Sequence, residues 1–167
     1  MLRALKRSHV VASLKEKETL IKEIRGIQRI VINACHGGFG LSNDAVLRYL
    51  ELCGTPVWSE VHRGLVRFKY WLVPPAERIE EPSAEVWRDM TIQERQAHNT
   101  AYSKQVFYDR DVPRDDPFLV ETVLELGEKA DGDHANLKVV EIPGDVDWVI
   151  EEYDGKEWVA EVHRTWS

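Results

Sequence analysis

Cysteine is scarce in this chain: Cys35 closes a β-like run, Cys53 closes a helical one, and there is no third. Two separated thiols without a secretory leader pattern argue against a disulfide framework and suggest reduced core thiols in a cytoplasmic protein. No run approaches the about 18 apolar residues that a membrane-spanning helix needs, so no membrane partner is expected. A basic excess is also missing. With 22 Lys and Arg against 29 Asp and Glu, the formal charge of -7 argues against DNA or another extended polyanion as a partner, and any phosphate site must be local. Nor is there a nucleophile elbow, a paired zinc-binding motif or a Cys-His arrangement that assigns a nucleophile and base. Cys35 and His36 are adjacent and would face opposite sides of a strand. The expectation is a non-enzyme with no catalytic residues, no metal and no cofactor. What the chain does have is 43% hydrophobic and 31% charged residues over 167 positions, enough for one globular domain with a sizeable core.

The first 28 residues differ in character, concentrating Lys6, Arg7, Lys15, Lys17, Lys22 and Arg25. Within them, Ser13 to Ile24 has helical spacing, with Leu14, Leu20, Ile21 and Ile24 partly on one face. Glu16, Glu18 and Glu23 speak against a mitochondrial presequence, which is poor in acids. The chain is therefore divided into an N-terminal helical extension, 1–28, and a single ligand-binding domain, 29–167. The extension packs on the core, mediates assembly or is dispensable; its sequence leaves all three open.

Arg29 to Cys35 is a β-branched run that predicts a buried strand, and it leads into His36-Gly37-Gly38-Phe39-Gly40. A helix follows from the Ser42 cap, through Val46, Leu47, Tyr49, Leu50 and Leu52, to Gly54. A strand, a glycine turn and a helix N-terminus can together present amides to an anion, making Gly37, Gly38 and Phe39 candidate ligand contacts. The spacing matches neither a P-loop nor a dinucleotide fingerprint, and glycines needed merely to turn a corner are the commoner explanation. Residues 57–73 predict a β-hairpin broken at Arg63-Gly64. The prolines Pro74, Pro75 and Pro82 predict a loop without regular structure over 74–90. Thr91 and Glu94 form a capping-box signature for a helix running toward Lys104, whose His98, Asn99 and Tyr102 are placed to face a ligand, the core or solvent.

That helix delivers the chain to Phe107-Tyr108-Asp109-Arg110-Asp111-Val112-Pro113-Arg114-Asp115-Asp116-Pro117. Arginine presents a planar fork of donors that matches phosphate oxygens in pairs, so Arg110 and Arg114, with Phe107 and Tyr108, suit a diphosphate. The interleaved Asp109, Asp111, Asp115 and Asp116 equally suit a loop tied by its own salt bridges, and on spacing alone that is the commoner outcome. Asp116-Pro117 opens a further helix through Leu119, Val120, Val123, Leu124 and Leu126. Asp131-Gly132-Asp133-His134 has metal-friendly types but no second ligand set, and is read as a turn. The last third is β, with strands over Leu137 to Ile142, Asp147 to Tyr153 and Lys156 to His163, the final two joined by an Asp154-Gly155 hairpin turn. Trp148, Tyr153, Trp158 and Trp166 read as core or interface rings, and His163-Arg164-Thr165-Trp166 as a tail that docks, crosses an interface or closes over a ligand. The fold class is α+β: a mostly antiparallel sheet packed with two or three helices, plus the N-terminal extension.

Taken as a set, the Val31-Ile32-Asn33 strand with Gly37 to Ser42, the Tyr108 to Pro117 stretch, and Glu151 to Gly155 with His163 to Trp166 resemble a group of small phage proteins, the Thoeris anti-defence proteins of the first type. The resemblance covers roughly residues 29–54 and 102–167. It implies a sponge that sequesters cyclic ADP-ribose isomers made by bacterial TIR-domain enzymes without cleaving them, some relatives also holding cyclic oligonucleotides. It further implies that Arg110 and Arg114 match a four-spaced arginine pair that binds ligand, in a homo-oligomer with ligand between subunits, in the cytoplasm of an infected host. Two other classes stay open: a nucleotide-processing enzyme such as a phosphodiesterase using the acidic cluster, and a phage accessory module that binds protein through its Trp-rich face.

Overall fold

The computed structural model describes residues 26–61 and 68–162. The expected helix over Ser13 to Ile24, the Arg63-Gly64 turn and the His163 to Trp166 tail lie outside the described residues. The order of elements is β1 (Ile27–Asn33), α1 (Asn43–Leu52), β2 (Trp58–Val61), β3 (Phe68–Trp71), α2 (Ala84–Asp89), α3 (Ile92–Ser103), β4 (Val106–Phe107), α4 (Pro117–Leu126), β5 (Leu137–Pro143), β6 (Trp148–Tyr153) and β7 (Lys156–Glu161). All strand pairing among the described residues is antiparallel, in three small sheets: β1 with β5, β2-β3-β4, and β6 with β7. This is the expected α+β class, with the strands split among three sheets and four α-helices in place of two or three.

β1 is the hub. Its Ile30, Val31, Ile32 and Asn33 are buried, and Ile30 and Val31 face Val140 and Val139 of β5 across the pair. A strand whose second half is buried needs cover there on both faces and both edges. α4 and β7 lie against it. On the edge away from β5 no third strand pairs with it among the described residues; the Val31 amide donates to the Arg114 carbonyl (2.8 Å) and the Asn33 amide to the Glu157 carboxylate (2.7 Å). The core then gathers Val46, Tyr49 and Leu50 of α1, Leu119, Val120 and Val123 of α4, and Phe39, Leu41, Val112 and Leu137 from the segments between.

Helix ends follow the local chemistry. The Ser42 hydroxyl accepts from the Ala45 amide, and the Asp116 carboxylate accepts from the Phe118 and Leu119 amides with Pro117 at the first helical position. Thr91 and Glu94 complete both halves of the capping box. One expectation needs correcting: residues 74–90 are not all irregular. Ser83 caps a short helix, α2, through the Val86 amide, and Pro82 sits outside it where a missing amide costs nothing. The prolines masked a start signal that Ser83-Ala84-Glu85-Val86 carries. At the other end of the chain, Asp154 and Gly155 take φ of 51° and 81°, the left-handed pair that a two-residue hairpin turn requires.

Candidate functional site

The glycine turn after β1 is shaped by close approaches. A Cβ on Gly37 would collide with the His134 carbonyl, and one on Gly155 would lie 2.7 Å from the Gly38 amide nitrogen. The β6-β7 turn is thus seated on Gly37-Gly38, which excludes a side chain at Gly155, while at Gly37 the excluding neighbour is His134 and at Gly38 the positive φ of 92° favours glycine. Asn33, fully buried, ties these parts together. Its amide nitrogen donates to the carbonyls of Cys35 (2.7 Å) and Gly155 (2.6 Å), and its oxygen accepts from the Asn136 amide (2.8 Å) and the Cys35 thiol. A buried primary amide with every donor and acceptor used fixes one arrangement of turn, hairpin and β5.

Arg114 lies beside this junction. Its guanidinium faces Glu157 with Nη2 to Oε1 at 2.9 Å and Nη1 to Oε2 at 3.3 Å, and its Cζ is 3.2 Å from the centre of the Phe39 ring. Both charged side chains are largely buried, 18% and 10% exposed. Burial pulls the Arg114 pKa below its ordinary value, against the opposing pull of Glu157 and then Asp109; arginine stays charged at any working pH. The fork that matches a phosphate is therefore occupied by a carboxylate of the same chain. Glu157 in turn receives two charged donors and the Asn33 amide, so it serves as an internal anion in a pre-formed anion seat.

Arg110 is placed differently. It lies in the 3-10 turn Asp109–Asp111, is exposed, and meets no hydrogen-bonding or ionic partner among the described residues. Asp109 fastens that turn to the glycine turn by accepting from the Leu41 amide at 2.8 Å. The clip brings Tyr108, 45% exposed, and Arg110 to the rim of Gly37 to Gly40, whose amides donate to no oxygen of a described residue. Below them the Tyr70 hydroxyl donates to the Asn43 side chain (3.2 Å), and burial, then Asp109 and Asp44, push its pKa up to about 12.

The candidate residues thus separate into two groups. Gly37, Gly38, Phe39, Tyr108, Arg110 and Arg114 belong to one region, joined through the Asp109 clip and the Arg114-Phe39 stack. Phe107 and Asn99 do not. Phe107, partly buried, packs against the core beside Tyr49 (5.6 Å between ring centres) and Tyr70 (6.4 Å). Asn99 is exposed on α3 and makes no bond to the arginine loop. Its neighbours His98 and Tyr102 stack on each other, His98 also meeting Trp87 and Tyr102 meeting Trp71, with the Tyr102 hydroxyl on Lys69 and Glu81. Sequence reasoning missed Asn33 and Glu157. A polar residue ending the Ile30-Val31-Ile32 run was the available signal for the first; for the second, a Glu among many exposed acids, there was none.

No protein-family model, curated protein or solved structure matches this chain. Among the described residues no group of three or more His, Cys, Asp and Glu side chains could hold a metal ion, and no helix is long and apolar enough to cross a membrane.

Proposed function

We propose that this protein is a phage anti-defence sponge: it captures a cyclic ADP-ribose-type immune signal, with cyclic oligonucleotides as a second ligand class, in the cytoplasm of an infected bacterium and releases it uncleaved. One observation carries the reading. The Asp109 clip ties the turn that carries an exposed arginine without a partner among the described residues, and an exposed tyrosine, to a glycine turn whose amides donate to no described residue; these are recognition elements that a diphosphate joined to a purine asks for. The outer face of β6-β7, with Val149, Tyr153 and Trp158 exposed, supports the homo-oligomer that the resemblance implies. The same face favours the second reading, an accessory module that binds protein.

Thermal unfolding against cyclic ADP-ribose isomers and cyclic di- and trinucleotides, followed by recovery of the ligand, separates these readings. A raised midpoint with intact ligand is the expected result. Degraded ligand would mean a nucleotide-processing enzyme, and a flat response across the panel would favour the protein-binding reading.

A further inference from the structure

α2 and α3, with the segment leading into them, stand apart from the central core. Neither helix has a fully buried residue, and among the described residues the buried side chains of that core include none from 54–105. What holds the two helices is a ladder of rings and cations that starts on β3. Arg78 lies 4.7 Å over the Trp71 ring, Trp71 meets Tyr102 edge-on at 5.4 Å, Tyr102 stacks on His98 at 6.0 Å, His98 meets Trp87 edge-on at 5.8 Å, and Arg95 closes the row 5.7 Å from the centre of Trp87. Each rung is a modest contact. The ladder also carries unanswered groups. His98 Nε2 has the Glu80 carbonyl at 3.3 Å, but its Nδ1 and the Nε of Arg78 are buried without a hydrogen-bonding partner among the described residues. A buried polar atom left unsatisfied costs stability, so these helices lie at the low end of the range within the fold.

We infer that residues 74–105 open and close as a unit on a folded core, and that β4 passes each opening to Tyr108 and Arg110. The join is narrow. Gln105 ends the unit: its side chain accepts from the Ile79 amide (2.8 Å) and donates to the Glu77 carbonyl (3.0 Å), while its own carbonyl accepts from the Leu72 amide (2.8 Å). The next two residues are β4, paired with β3 through Val106 opposite Trp71 and Phe107 opposite Tyr70. Trp71 is thus both a rung of the ladder and the strand neighbour of Val106. Directly after β4 come Tyr108 and the 3-10 turn that carries Arg110. With the unit closed, the β3-β4 pairing holds one side of Tyr108, and the Asp109 bond to the Leu41 amide holds the other. With it open, the β4 side is released and Tyr108 loses its fixed position. The opening stands on these contacts alone; its bearing on ligand capture rests on the function proposed above. By linkage, a ligand that fixes Tyr108 and Arg110 favours the closed unit as much as the closed unit favours the ligand.

Hydrogen exchange read by mass spectrometry on the full, ligand-free chain tests this. Amides of 84–103 are expected to exchange faster than those of β1, α1 and α4. His98→Ala removes a middle rung and should speed them roughly tenfold, since exchange tracks the population of the open form. Amides of 106–111 should speed with them, while β1, α1 and α4 keep the rates of the natural chain. A second measurement needs no substitution: in urea below the unfolding transition, 84–103 and 106–111 should accelerate together and ahead of those three elements. Acceleration over 84–103 with none over 106–111 would overturn the coupling. Equal acceleration in β1, α1 and α4 would overturn the independence of the unit, and unchanged exchange in His98→Ala would overturn the ladder as its latch. No nucleotide enters the measurement, so a flat response in the ligand panel would remove the proposed function and leave this result standing.

Discussion

Arg110 and Arg114 are four apart in sequence and chemically identical, yet the fold gives them different work. Arg114 is committed to Glu157 and the Phe39 ring, whereas Arg110 is exposed and unpaired among the described residues. Arg110→Ala is therefore expected to leave the unfolding midpoint of the free protein unchanged and to weaken ligand capture by about 1.5 to 3 kcal/mol, read by calorimetric titration. Arg114→Ala should instead destabilise the free protein by about 3 kcal/mol, because it strands a buried carboxylate, with urea unfolding as the measurement. Glu157→Gln keeps shape and acceptor and should cost less than Arg114→Ala. If Arg114→Ala unfolds no more readily than the parent, the internal ion pair is not a structural tie. Tyr70 adds a pH dependence. Its unfolded pKa is near 10 and its folded value about 12, so the proton it keeps stabilises the fold fully below pH 10, and that stability is lost as pH rises through 12. Tyr70→Phe should flatten the fall in unfolding midpoint between pH 10 and 12.

The elements that the sequence announced best are those whose ends are written in local chemistry. Ser42, Thr91-Glu94 and Asp116-Pro117 all cap where short-range rules place them, and Asp154-Gly155 makes its turn. Removing one such cap, Asp116→Ala, is expected to cost about 1 to 2 kcal/mol in chemical unfolding, since two amides of α4 lose their acceptor. What was not legible depends on contacts distant in sequence. That β1 finishes its outer edge on Arg114 and Glu157, 83 and 124 residues on, has no local signature. Neither does the seating of Gly155 on Gly37-Gly38, although a glycine at 155 is its precondition. The candidate region was half legible for the same reason: the arginine loop and glycine turn stood out as motifs, but the pairing that occupies Arg114 and the packing of Phe107 on Tyr49 and Tyr70 follow from tertiary packing alone. The α2 helix was hidden because proline content over 74–90 outweighed a single serine cap.

At the scale of the molecule, the β6-β7 hairpin is two-sided in a way that bears on assembly. Its inner face carries Trp148, Ile150, Glu157 and Val159, and engages the fold through Trp148 on Gln28 and Glu157 on Arg114. Its outer face carries Val149, Tyr153 and Trp158, the tyrosine 72% exposed. A two-stranded sheet gains little stability from such residues on its solvent side, and an isolated hairpin is marginal without a second layer. Covering that face with another subunit accounts for the aromatics without asking anything further of the core. The rim is acidic, with Glu151 and Glu161 nearby, so the contact should tighten as salt screens like charges. Light scattering coupled to gel filtration is expected to give a mass above that of one chain, and the variant Tyr153→Asp with Trp158→Glu to elute as a monomer with unchanged circular dichroism. If the double variant keeps the parent's mass, assembly does not use this hairpin. If the parent is itself a monomer at every salt concentration, ligand held between subunits is ruled out, and Arg110, Tyr108 and the glycine turn must bind within one chain.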